Sequence, residues 1–191
     1  HETLYYPGET NLLLADVVVV NKIKVADPKD VKQVVDTTKK MNPKAKIIKA
    51  ESQLIVSNTK IRGKKAVVVG DGPTLTHGGM SYGAAVIAAR EYGASKLVDP
   101  RPFAVGSIKE TFKKYPGIDN LLPAMGYSRK QILELEETIN KADCDTVIIG
   151  TPIDLGKIIR INKPIVRAKY ELKEISKPDL RDLIADHIKP N

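Results

Sequence analysis

The chain has 191 residues, 42% apolar and 28% charged, with one cysteine, no tryptophan and a formal net charge of +8. That composition supports a buried core and excludes a disordered, fibrous or disulfide-framed protein. The longest apolar run, Ala15–Val20, is strand-sized, and no charged-then-apolar leader opens the chain, so a cytoplasmic protein with no membrane partner is expected.

Short Val- and Ile-rich runs alternate with amphipathic stretches. In chain order the expected strands are Asp16–Asn21, Lys46–Lys49, Lys65–Gly70, Lys96–Asp99, Thr146–Gly150 and Pro164–Ala168. The expected helices are Pro28–Met41, Gly79–Tyr92, Ser107–Lys114, Ser128–Lys141, Ile153–Arg160 and Lys177–Ile188. Asp27-Pro28, Ser107 with Glu110, and Ser128 with Gln131 have the form of helix starts. The alternation gives an α/β class, a mostly parallel sheet with helices on both faces. Glu51–Gly63 is polar and interrupts it, with Ala50-Glu51-Ser52 read as a turn. A boundary near residue 62 then separates a segment 1–62, short for an independent sheet and resembling the end of something larger, from a domain 63–191.

The valine-rich first strand ends in Asn21-Lys22, at the edge where open α/β sheets bind ligands. Asn-Lys-x-Asp at this place reads a guanine base in P-loop GTPases, but the fourth position here is Lys24, which donates and cannot accept from guanine. Asn21 and Lys22 are therefore nucleotide-base candidates or a structural turn. No Gly-x-x-x-x-Gly-Lys-Ser/Thr phosphate loop occurs in the 191 residues, so the triphosphate cradle is expected upstream of His1.

The strand Lys65–Gly70 runs into Asp71-Gly72-Pro73-Thr74-Leu75-Thr76-His77-Gly78-Gly79-Met80. Glycines allow close backbone approach, hydroxyls donate, and a following helix start favours an anion. Gly72, Thr74, Thr76, Gly78 and Gly79 are anion-binding candidates, the alternative being a Gly-rich turn that only lets strand and helix pack. Asp71 and His77 are the candidates for acid–base chemistry; a histidine without a role is the competing reading of His77. Arg101, stiffened by Pro100 and Pro102, suits bidentate contact with phosphate or carboxylate. Ser107, Thr151 and Asp154 leave other strand ends toward the same expected crevice. Asp71, Asp99 and Asp154 fit Mg²⁺ or plain capping, no Cys/His spacing suggests a bound metal, His187 reads as surface, and Cys144 as a small, partly buried residue. With no Trp and two Phe, a stacking platform for nucleic acid is not expected.

Several blocks together resemble a known family: Tyr5-Tyr6-Pro7-Gly8-Glu9-Thr10-Asn11, Val20-Asn21-Lys22, the Gly70–Met80 loop, Val98-Asp99-Pro100-Arg101-Pro102, Ala104–Thr111, Leu122-Pro123-Ala124-Met125-Gly126-Tyr127 and Ile149–Leu155. They are similar to a mainly archaeal family of P-loop GTPases related to cyclic 2,3-diphosphoglycerate synthetase, whose members carry several hundred further upstream residues. The resemblance implies the end of a P-loop NTPase domain followed by a Rossmann-like anion-binding module. For the intact protein it implies Mg²⁺ with ATP or GTP, and a phosphorylated small acid as partner, with 2,3-diphosphoglycerate cyclisation as the reaction. This chain alone then requires no cofactor and turns over little or nothing. A regulatory GTPase-like switch and a noncatalytic metabolite-binding module are the alternatives, and a homo-oligomer is compatible with each.

Overall fold

The computed structural model describes residues 6–72, 83–125 and 128–188. The helices are α1 (Tyr6–Leu14), α2 (Pro28–Met41), α3 (Ala84–Glu91), α4 (Gly106–Lys114), α5 (Arg129–Lys141) and α6 (Leu180–Ile188). The strands are β1 (Val17–Val20), β2 (Lys46–Val56), β3 (Lys65–Asp71), β4 (Lys96–Leu97), β5 (Leu121–Ala124), β6 (Thr146–Gly150) and β7 (Ile165–Glu174). They form a mostly parallel sheet in the order β1-β2-β7-β6-β3-β4, with β5 also on β3. The protein is therefore of the α/β class, with a Rossmann-like arrangement of helices flanking the sheet. It folds as two compact units, His1–Gln53 with Glu171–Asn191, and Leu54–Tyr170. Both β2 and β7 pass through each. Among the described residues no helix is long and apolar enough to cross a membrane.

In the first unit, β1 and β2 run parallel from Val17↔Lys46 to Val20↔Lys49. Although four consecutive valines read as a fully buried strand, only Val20 is buried and Val19 is 37% exposed, because β1 ends the strand order. Asp27 caps α2 by accepting from the Lys29 N–H at 2.8 Å, with Pro28 at the first turn and Lys39 and Lys40 at the last. At its far end buried Asn42 donates to the carbonyls of Leu12, Leu13 and Ala15 at 2.8–3.2 Å, giving the end of α1 the partners its own helix cannot supply. The sequence pattern does not reveal α1, since Pro7-Gly8 looks like a turn; the proline sits in its first turn, where a missing N–H costs nothing.

In the second unit, β3 is the central strand. It pairs in parallel with β6 from Ala66↔Thr146 to Gly70↔Gly150 on one side. On the other it takes β4 at Lys65 and Ala66, then β5 from Val68 to Asp71. Val67, Val68 and Val69 are fully buried with Leu122, Val147, Ile148 and Ile149, as expected of a strand covered on both faces. α3 meets the sheet through Ala84, Ala85, Ala88 and Ala89, all buried. It comes so close that a Cβ on Gly150 would lie 2.6 Å from the Ala85 nitrogen.

Three expectations are corrected, and one strand that the sequence pattern does not reveal is added. Ala50-Glu51-Ser52 is no turn: β2 continues to Val56, held by ladder bonds to β7 such as Ser57 N–H to Arg167 O and Ile175 N–H to Lys49 O, which override the polar local sequence. Leu121–Ala124 is a strand although Pro123 argues against one; its ladder is to β3, and an edge strand tolerates proline. The expected helix Ile153–Arg160 reduces to one short turn, Leu155–Lys157, with Gly156 at its middle. The pairing of Ser107 with Glu110 does not form, since α4 begins at Gly106 and Glu110 pairs with Lys113 instead. The Ser128 and Gln131 capping box is present as read.

Replacing Gly150 by alanine pushes a methyl group into the backbone of α3. Gly150→Ala should therefore destabilise the fold by about 1–3 kcal/mol, measured as a lowered denaturant midpoint with unchanged m-value.

Candidate functional site

The carboxyl ends of β3, β5 and β6 bring Asp71, Ala124 and Thr151 to the wall of one cavity of about 120 Å³. α5 contributes Ile132 and Leu135, and the segment after β6 contributes Pro152, Ile153, Leu155, Ile158 and Ile159. Ile153 and Ile158 remain 38% and 47% exposed, which places them at the opening. Thr151 is buried, and its hydroxyl donates to the Ile153 carbonyl at 2.7 Å. Its oxygen is thus left to accept. Gly72 follows directly, packed so tightly that a Cβ there would lie 2.6 Å from the Ala124 carbonyl and 2.3 Å from the Met125 sulfur. That close approach brings the ends of β3 and β5 together beneath the cavity.

Arg101, Ser107 and Asp154 are held by partners away from this wall or within the chain. The Arg101 Nε donates to both Asp99 oxygens at 2.8 and 3.0 Å. This pair holds the Asp99 carboxyl below its ordinary range and raises the guanidinium further. Among the described residues Arg101 does not line the cavity. Ser107 gives its backbone N–H (2.9 Å) and its hydroxyl to Glu134 of α5, so the anion at the start of α4 is the chain's own carboxylate. Gly106 makes room for it: its φ is +51°, and a Cβ there would lie 2.1 Å from Glu134 Oε1. Asp154 accepts from Arg167 Nη1 at 3.0 Å. Asp71, Asp99 and Asp154 therefore sit in three different environments, and among the described residues no group of three or more His, Cys, Asp or Glu could hold a metal.

In the first unit, Asn21 donates to Ser52 Oγ at 2.9 Å and accepts from the Lys22 N–H at 2.7 Å, while Lys22 takes the left-handed φ of +62°. Lys24, whose position weakened the guanine reading, ion-pairs at 2.7 Å with the buried Glu51, which Lys173 also approaches at 3.7 Å. The Lys24 hydrogen bond chiefly holds the Glu51 carboxyl below its ordinary range against the opposing effect of burial. A separate groove of about 280 Å³ is lined by Ile23, Pro28, Val31, Lys32, Val35 and Lys49.

Thr74, Thr76, His77, Gly78 and Gly79 lie outside the described residues, as does the side chain of His187. Cys144 is half-buried, and burial pushes its thiol up. Motif reading missed Ile132, Leu135, Ile158, Ile159 and Arg167. Their only signal was helical or strand periodicity, which marks core positions and says nothing of a cavity.

No protein-family model matches the chain. It is 54% identical over 190 residues, 99% of its own length, to a protein named arginine synthetase ArcE in the archaeon Thermococcus kodakarensis. Those residues make up 42% of the relative, so the chain spans less than half of that protein's length.

The Glu134 carboxyl is held below its ordinary range, first by the Ser107 hydroxyl and then by the Ser107 N–H, with burial opposing and Lys130 assisting. A folded-state value below the unfolded one stabilises the fold above the unfolded value, and that stabilisation is lost as pH falls through the folded value. Ser107→Ala should therefore lower Tm at neutral pH and flatten its decline between about pH 5 and pH 3, and Glu134→Gln should flatten it further in the same thermal scans.

Proposed function

We propose that this chain is part of a nucleotide-dependent synthetase and forms its site for a small, nitrogen-rich substrate of the arginine type. The observation that carries this reading is the donor–acceptor character of the cavity at the ends of β3, β5 and β6. Its described polar lining is Asp71 and Thr151, and the Thr151 proton is committed to the Ile153 carbonyl. Both offer acceptors, and the rest of the wall is aliphatic. A guanidino or ureido group supplies the donors such a wall needs, and its methylene stem matches Ile132, Leu135, Ile158 and Ile159. The name of the archaeal relative, which aligns along nearly the whole chain, agrees with that chemistry.

The polyanion expected from the sequence, 2,3-diphosphoglycerate, suits this cavity less well. Arg101 and Arg167, the arginines nearest to the role of phosphate clamp, are paired with Asp99 and Asp154. ATP or GTP with Mg²⁺ would supply the activation that turns a carbonyl oxygen into a phosphate leaving group, so that an amine can take its place. This chain's residues bind and orient: Asp71 accepts from the terminal nitrogens, Thr151 accepts from a second N–H, and the isoleucines exclude water. Asn21 and Lys22, set by Ser52 and by the left-handed turn, are its contribution to the nucleotide.

Calorimetric titration of the longer protein that contains this chain tests the reading. Arginine and its ureido analogue should bind, and Asp71→Asn should weaken arginine by about tenfold or more, as expected for a lost charge-assisted contact, while ATP binding stays unchanged. Tight binding of 2,3-diphosphoglycerate, with no heat from arginine or its analogue, would return the substrate to the phosphorylated acids.

A further inference from the structure

We infer that Arg167 is a positioning residue for the substrate cavity, acting through the turn that carries Thr151. The inference rests on the reading of that cavity as the substrate site.

Arg167 lies in β7, where its backbone is fixed from two directions. It stands opposite Ile149 in the parallel ladder to β6. It also exchanges bonds with Ser57, receiving the Ser57 N–H at 2.9 Å and donating its own N–H to Ser57 Oγ at 2.9 Å. From this base its guanidinium reaches forward to the segment leaving β6. Nη1 donates to Asp154 Oδ2 at 3.0 Å, and Nη2 reaches the Pro152 carbonyl at 3.5 Å. The pair is half-buried, with side chains 34% and 29% exposed. Pro152 and Asp154 flank Ile153, whose carbonyl takes the Thr151 proton. The planar fork of one arginine thus sets the turn that decides where the Thr151 oxygen accepts and where Ile153 stands at the opening.

The far end of the same segment is tied independently. The Arg160 N–H donates to Glu136 at 2.7 Å, the Asn162 N–H to Asn140 at 3.0 Å, and Asn140 to the Arg160 carbonyl at 2.8 Å. All three bonds go to α5, the helix that supplies Ile132 and Leu135. Releasing Arg167 therefore frees the Thr151 end of the wall and leaves the other in place. The aliphatic floor and Asp71 are untouched by that change, so the loss should fall on substrate binding.

Steady-state kinetics of the longer protein test this with four variants. Arg167→Ala and Asp154→Asn should each raise the KM for the arginine-type substrate by about tenfold, the size of one charge-assisted contact. kcat and the nucleotide KM should stay within about twofold. Arg167→Lys, which keeps the charge and loses the fork, should fall between wild type and Arg167→Ala. Thr151→Val reports on the cavity itself. If Thr151→Val raises that KM and neither Arg167→Ala nor Asp154→Asn does, Arg167 is not a positioning residue, although the site stands. If all of them leave it unchanged, the site reading fails and takes this inference with it. A loss shared equally by kcat and both KM values would mark a structural role only, and overturn the inference. Should Arg167→Ala not fold, Asp154→Asn removes the same contact and decides the question.

Discussion

The second unit depends on β3 being flanked on both edges by strands that run in its own direction. Along its seven residues β3 pairs with β6 on one side, from Ala66 to Gly70, and with β4 and then β5 on the other, so its interior can carry only small or branched apolar side chains until it leaves the sheet. Val67, Val68 and Val69 meet that demand inside. At the carboxyl end the crowding is met by glycine: Gly70 lies against Leu121, Gly72 against the Ala124 carbonyl, and Gly150 of β6 against the backbone of α3. These close approaches draw three strand ends together. A cavity opens where they diverge, and Asp71 and Thr151, the first polar side chains beyond the packed core on β3 and β6, line it. The site is thus a consequence of where the core stops.

Net charge says little about what that cavity takes. The chain carries +8, yet Arg101, the cation that the sequence placed best to hold an anion, is matched internally with Asp99, as are Arg167 with Asp154 and Lys24 and Lys173 with Glu51. The start of α4 likewise receives Glu134. Each pairing is worth little to stability where it is exposed, but each fixes the direction of a group that would otherwise be free to meet a ligand. Arg101 shows this most clearly. Two prolines stiffen its loop, and the guanidinium it presents is turned onto a carboxylate two residues away.

The α/β class and most helix and strand cores were legible from the sequence because their periodicity and capping are local properties. Asp27-Pro28 and the Ser128 with Gln131 box act as they read. The misread elements depend on distant partners. The polar stretch Ala50–Ser52 becomes strand because β7, more than a hundred residues later, supplies its ladder, and because Lys24 and Lys173 make it tolerable to bury Glu51. Pro123 hides β5 for the same reason in reverse: what permits it is that, among the described residues, β5 has a neighbour on one side only. Of the cavity wall, Asp71 and Thr151 were legible as polar residues at strand ends. The isoleucines and the Arg167–Asp154 pair were not, since nothing local separates a side chain lining a cavity from one filling a core, or shows which carboxylate an arginine will meet.

Two carboxylates show how environment assigns different work to like groups. Glu51 is buried in the first unit with two ammonium groups within 4 Å, so its charge is spent on fixing the loop after β1, and Asn21 is held beside it through Ser52. Asp71 lines an aliphatic cavity whose other described polar side chain is Thr151, its hydroxyl proton already committed. Low polarity strengthens any hydrogen bond made there and raises the cost of leaving an acceptor unmet when water is displaced. A ligand entering that space is therefore selected by the donors it brings. On the proposed reading, phosphate oxygens would add acceptors to acceptors, whereas a guanidino or ureido end would meet the Asp71 carboxylate and the Thr151 oxygen with donors. The proposed preference rests on the Thr151 bond to the Ile153 carbonyl, because a hydroxyl free to rotate could serve either kind of ligand and one held in this way serves only a donor.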